Sequence, residues 1–230
     1  MSSSYIKQVA TVRQRAGMTT REFHDYHFQV HGRLSYAGPD LSPRMYYQTH
    51  FFDSAYNAGS AVQPWYAHHN DVTELYWHDL AHLKTAYSSE CARAVVGPDG
   101  ANFNDGAAAM SMFAREETLH DDGSAPSEGV VAKYYLRSPG QTGGDTESFA
   151  DQLKDPIAES FAACACSIVV DIRTPDTLGI LKYFGPQKAL DMALIYTMYL
   201  KEGASSIAAF RKAQALFEQE AGTYLDLENQ

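Results

Sequence analysis

At 230 residues, with 45% hydrophobic and 20% charged side chains, the chain can build one large domain or two small ones and is not compositionally disordered. A net charge of -10 and a pI near 5.3 argue against nucleic acid and anionic membranes as partners, since both need clustered Lys and Arg to neutralise phosphate. No run approaches the roughly 18 apolar residues of a membrane span. Met1–Ile6 lacks the basic and apolar regions of a secretion signal. Cys91, Cys164 and Cys166 form no disulfide framework, so a reducing, cytoplasmic setting is expected. On a strand, Cys164 and Cys166 would share one face, and they read as small core residues rather than a metal or redox pair. Fifteen tyrosines suit an apolar pocket that must still offer hydroxyls. All nine histidines lie between His24 and His120, so the two halves of the chain have different jobs.

In chain order, Tyr5–Arg13 reads as a strand. Gly17 marks a turn, and Thr19 or Thr20 caps a helix that has Glu22 in its first turn. That helix runs to about Tyr36 and stops at Gly38-Pro39. Arg44–Phe52 is a Tyr- and Thr-rich strand, 53–70 a loop, and Val72–Trp77 a strand. A helix from Asp79 ends near Gly97-Pro98, 99–106 is a loop, and Ala108–Ala114 is a strand. After a linker at 120–128 the order repeats. Val130–Leu136 is a strand, 146–163 a helix interrupted by Pro156, Cys164–Ile172 a strand, and Ala189–Leu200 a strand that would tolerate a helix. Ser205–Ala221 is a periodic helix, and Tyr224–Leu227 a short last strand. Each half is thus a β-α-β-β-α-β unit. The expected fold class is α+β: two tandem ferredoxin-like halves, residues 1–119 and 128–230, whose bare sheet faces close on each other as an intramolecular α+β barrel.

The run Met18–Leu34, with Phe23, Tyr26, His31 and Leu34 in register and His27 where Trp is usual, resembles the first helix of the EthD family. Asp71–Trp77, Ser88-Ser89-Glu90 and Asp99–Asn104 resemble its later motifs, in order, so the likeness covers about residues 5–117. It implies a dimeric α+β barrel fold, shared with cofactor-free monooxygenases, polyketide cyclases and decarboxylases. It also implies that the helix histidine and the strand glutamate, here His31 and Glu74, lie near a pocket between sheet and helices.

At 100° per residue, Phe23, Tyr26, Val30 and Leu34 form the stripe that docks on the sheet, with His27 inside it and His24 and His31 at its edge. An edge imidazole can reach a pocket and suits proton transfer near neutral pH, although boundary histidines are also commonly inert. His24, His27 and His31 share a sector, and His68 or His69 is the first choice for a further metal ligand, but neither metal nor cofactor is expected. On the second strand Tyr46, Gln48 and His50 share one face and Tyr47, Thr49 and Phe51 the other. On the third, Glu74 and Tyr76 share a face. A Glu74 facing the barrel would have a raised pKa and pair with His31; facing outward it would be ordinary. There is no phosphate-binding loop at Gly143-Gly144 and no G-x-S-x-G elbow, which disfavours nucleotide enzymes and serine hydrolases.

The expected function is a cofactor-independent tailoring lyase. It would move protons on a polyketide-like or aromatic carbonyl compound, leading to dehydration, decarboxylation or cyclisation. His31, Glu74 and His50 are the catalytic candidates, and Tyr26, His27, Tyr47 and Tyr76 the substrate contacts. The alternatives are a cofactor-free oxygenase of the same fold and a non-catalytic binder of a hydrophobic metabolite. The expected partner is a hydrophobic small molecule, with the chain a monomer or homodimer.

Overall fold

The fold is described by a computed structural model covering residues 5–36, 41–51, 70–126, 129–137, 146–175, 179–181 and 192–224. The chain divides into two compact units: Ser3–Ala114 with the described residues of 174–189, and Arg115–Arg173 with the described residues of 190–230.

The first unit begins with β1 (Ile6–Val12). Gly17, at φ 91°, turns the chain into α1 (Thr20–Tyr26). Its start is a reciprocal cap: Thr19 Oγ1 accepts from Glu22 N and Glu22 Oε2 accepts from Thr19 N at 2.8 Å. The helix continues as a π turn, His27–His31, and ends in α2 (Gly32–Leu34). β2 (Met45–His50), β3 (Asp71–Trp77) and α3 (Leu80–Ser88), capped by Asp79, follow. A second π turn, Ala92–Val96, leads into α4 (Gly97–Phe103), and β4 (Met110–Asp121) begins in this unit. The strand order β2-β3-β1-β4, antiparallel throughout, is that of the ferredoxin-like unit.

Two expectations change here. Residues 99–103, expected as loop, are helical: the π turn Ala92–Val96 runs on into α4 without a break, and the helix continues past Pro98. Val30, expected in the docking stripe, is 39% exposed, while His27 is 2% exposed. The π turn inserts a residue into the helical phase and rotates the later positions, so Val30 swings out.

The second unit uses Arg115–Asp121 of β4, then β5 (Val131–Arg137), α5 (Thr146–Phe161), β6 (Ala165–Thr174), β7 (Met192–Leu200) and α6 (Ile207–Tyr224). β7 lies between β5 and β6, antiparallel to both. α5 is continuous through Pro156 because its inward stripe of Leu153, Ile157 and Phe161 is buried to 1% or less. Tyr224, expected to open a last strand, is still helical, and 225–227 lie outside the described residues. Cys164 and Cys166 are both buried, and their thiols donate to the separate carbonyls of Phe161 and Tyr199. No helix among the described residues is long and apolar enough to cross a membrane.

Phe161, Ile168, Tyr196, Phe210 and Phe217 anchor the second unit's core. Phe161→Ala should cost about 3–5 kcal/mol, read as a lower urea midpoint.

Candidate active site

Strand alternation sorts the first unit's polar residues onto two faces. On the helix-covered face are Gln8 and Ala10 of β1, Asp71 and Thr73 of β3, Tyr46, Gln48 and His50 of β2, and Ser111 of β4; on the other are Lys7, Glu74, Tyr76 and Tyr47. A cavity of about 530 Å³ lies between the first face and α3–α4, and both His27 and His31 reach its wall.

The two imidazoles are held differently. His27 is tied at both nitrogens: Nδ1 lies 2.6 Å from Asp71 Oδ2 and Nε2 3.5 Å from Thr73 Oγ1. Its ring also stacks on Phe103, with centroids 4.8 Å apart. His31 is tied at one. Its Nδ1 is 2.9 Å from Asp99 Oδ2, and its Nε2 makes no hydrogen bond to a described residue. Asp99 also accepts from Tyr26 Oη at 2.7 Å and from Asn102 Nδ2 at 2.9 Å. Burial raises the Asp99 pKa, but the hydrogen bonds from Tyr26, Asn102 and His31 outweigh it, and the carboxyl sits below its ordinary value. Asp99 is therefore an anion that accepts the Nδ1 proton of His31. Burial lowers the His31 pKa, with the Asp99 hydrogen bond opposing and the charge of His27 adding to it. The result is a neutral imidazole with its proton on Nδ1 and a free lone pair on Nε2.

Tyr46 lines the same cavity, and its pKa is pushed up to about 12, chiefly by burial, so its hydroxyl keeps its proton. The amide of Gln48 donates to its oxygen at 2.6 Å and to the carbonyl of His27 at 3.2 Å, binding β2 to the π turn. On α4, Gly97, Gly100, Ala101 and Asn104 all line the cavity, the spacing of one helical face. A Cβ added at Gly100 would meet nothing within 4 Å, so the missing side chain leaves room rather than permitting a turn.

The expected residues are only partly brought together. His31, His27 and Tyr26 converge. His50 is on the correct sheet face but stacks on His24, centroids 4.1 Å apart, with Nε2 3.4 Å from Gln48 Oε1. Burial, then the charge of His24, lowers its pKa. The His31–Glu74 pair does not form. Glu74 lies on the opposite face, 2.7 Å from Lys7 Nζ, with Glu74 and Lys7 exposed to 7% and 2%. Tyr76 shares that face, its ring centroid 5.1 Å from Lys7 Nζ, and Tyr47, 53% exposed, packs edge-on against it. The carboxylates that meet the imidazoles, Asp71 and Asp99, were not among the candidates. Asp99 was missed because the helix was expected to end near Gly97-Pro98, whereas it continues through Phe103. His68 and His69 lie outside the described residues. Among the described residues no group of three or more His, Cys, Asp or Glu could hold a metal ion.

An antiparallel sheet backed by helices, with a half-enclosed pocket between the layers, defines an α+β protein of ferredoxin-like build. Residues 15–107 match the family model of the EthD domain. Over the whole chain, an anthrone oxidase-like protein superposes with a TM-score of 0.61 at 12% identity, covering 97% of this chain and 88% of its own. A Fusobacterium nucleatum protein described as a candidate monooxygenase reaches 0.51 at 10% identity, covering 97% and 87%. An EthD family protein of Bacillus halodurans is 22% identical over 49% of this chain and 99% of its own, with a TM-score of 0.38. The comparison with curated protein sequences returns no match.

Two outcomes follow from this geometry. The unfolded chain protonates His31 near the ordinary histidine value of 6.5, whereas the fold holds it neutral to lower pH. Stability should therefore fall as pH drops below about 6.5, and His31→Gln should flatten that part of a pH series of urea titrations. Gly100→Leu should abolish ligand binding in the cavity while leaving the thermal midpoint unchanged or raised, since Gly costs an exposed helix interior about 1 kcal/mol relative to Ala.

Proposed function

We propose that the EthD-domain cavity removes a proton from a carbon acid of a flat, apolar carbonyl compound of polyketide or similar aromatic type, with His31 as the base. The observation that carries this reading is the His31–Asp99 dyad: Nδ1 bound to an anion, Nε2 free, and the ring 17% exposed at a pocket wall. A neutral imidazole with a carboxylate on its far nitrogen gains a proton at Nε2 while the carboxylate stabilises the imidazolium that forms. Tyr26 and Asn102 keep the carboxylate ionised, so the proton stays on imidazole. Tyr46 offers a hydroxyl that remains a donor beside the base. The carbanion can then expel hydroxide from the neighbouring carbon, which takes the proton held at His31 Nε2 and leaves as water, or attack within its own skeleton, which gives ring closure.

A second reading shares the first step. The carbanion would instead be oxidised by O₂, and the whole-chain likeness to an anthrone oxidase-like protein favours it. A binding protein without turnover is the rival to both. In the proposal, Glu74 has no part in the His31 step, because the sheet lies between them.

Anthrone carries an acidic methylene across a ring from its carbonyl and serves as the test compound. Under nitrogen in D₂O, wild-type protein should speed deuterium uptake at the methylene, and His31→Gln should slow this by a hundredfold or more. The wild-type rate should rise with pH through a value below 6.5, where His31 loses its proton. No acceleration by the wild type, or full activity in His31→Gln, overturns the proposal. Admitting air then separates the readings: protein-dependent O₂ uptake marks the oxidase.

A further inference from the structure

The cavity has a second polar site that the dyad does not use. Gln8 stands in the middle of β1 on the helix-covered face and is 0% exposed. Burying an amide there is costly unless it is bonded, and its partners are two hydroxyls. Tyr87 Oη donates to Gln8 Oε1 at 2.7 Å, and Gln8 Nε2 donates to Ser111 Oγ at 3.2 Å. All three residues border the cavity, with Tyr87 and Ser111 half-buried.

An amide offers a donor at one end and an acceptor at the other, so it assigns opposite roles to the hydroxyls it holds. Tyr87 spends its proton on Gln8. Ser111 receives one from Gln8, and its own O–H has no acceptor among the described residues. The serine is thus left with a donor at the cavity wall. Its position follows from the sheet register. Ser111 on β4 pairs with Ala10 on β1, which pairs with Thr73 on β3, and Thr73 touches His27. Ser111 is therefore two strand spacings, about 10 Å, from Thr73, and the His31 ring stands next to the His27 ring that Thr73 touches, their centroids 5.6 Å apart. Ser111 and His31 thus border the cavity at separate points, and one flat ligand can meet both. Among the described residues that line the cavity there is no Lys or Arg, so a neutral or developing oxygen fits beside Gln8, Tyr87 and Ser111 better than a full carboxylate.

We propose that Ser111, oriented by Gln8, donates to a ligand oxygen that lies across a ring from the carbon facing His31. The orientation of the ligand rests on the reading of His31 as the base. On proton removal the electron pair of the broken C–H bond moves through the ring to that oxygen, and the proton goes to His31 Nε2. Ser111 then stabilises the enolate oxygen, and Gln8 is a positioning residue behind it.

The test compares anthrone with 9,10-dihydroanthracene, which has the same three-ring carbon skeleton and no oxygen, by quenching of tryptophan fluorescence under nitrogen. Wild-type protein should bind anthrone roughly five- to tenfold more tightly. Ser111→Ala should bring the two affinities level with dihydroanthracene binding unchanged, and Gln8→Met should move the ratio the same way. A merely structural Gln8 would weaken both probes alike and leave the ratio intact. Equal binding by the wild type, no binding of either probe, or an unchanged ratio in Ser111→Ala overturns the proposal. The two readings fail separately. A Ser111-dependent ratio without wild-type deuterium uptake overturns the His31 base and leaves the Ser111 contact standing. Uptake without a Ser111-dependent ratio does the reverse.

Discussion

The Asp99 carboxylate is the interaction on which the first unit's chemistry depends. It collects Tyr26 from α1, His31 from the π turn and Asn102 from its own helix. Two helices distant in sequence are thereby pinned at the point where an imidazole meets the cavity. The anion would be costly to bury unpaired. Three donors offset that cost, and in doing so they fix the His31 tautomer. The same bonds that stabilise the fold thus leave Nε2 open, so the orientation of the His31 imidazole and the docking of α1 on α4 are one event.

The π turn is the second constraint. A regular α-helix would carry Val30 inward with Phe23 and Tyr26 and leave His31 at the margin. The extra residue exposes Val30, buries His27 against Phe103 and carries His31 to the cavity wall, where its ring centroid lies 4.6 Å from that of Phe103. The irregular helical phase is held by contacts on both sides. Gln48 reaches back from β2 to the carbonyl of His27, which also accepts from the backbone N–H of Gly32, and Asp71 engages the His27 ring from β3. His27 therefore serves as a strut, while His31 keeps one ring nitrogen without a partner among the described residues, although both are helix histidines.

The second unit shows the opposite investment. Its core is nearly continuous hydrocarbon, with Ile168, Tyr196 and Met198 at 0% exposure and aromatic contacts among Phe161, Phe210 and Phe217. Apolar periodicity made its elements legible at nearly their full length, and Pro156 did not break α5, because the stripe around it is buried. Where buried hydrocarbon dominates a segment, hydrophobic pattern is a sufficient guide.

The sequence alone determined the α+β class, the β-α-β-β-α-β order of the first half, the capped start of α1, the EthD likeness and a first helix that bears three histidines. These follow from periodicity, caps and turn residues, which are properties of neighbouring positions. It could also sort each strand into two faces, placing Tyr46 apart from Tyr47 and Glu74 beside Tyr76. Only the tertiary structure decided which face meets the helices. That choice joins His31 to Asp99, sends Glu74 to Lys7 behind the sheet, and brings Gln8, Tyr87 and Ser111 together from three elements. The physical reason is that a partner for a buried polar group is selected by register and packing across the fold, and no local pattern records how far away along the chain that partner lies.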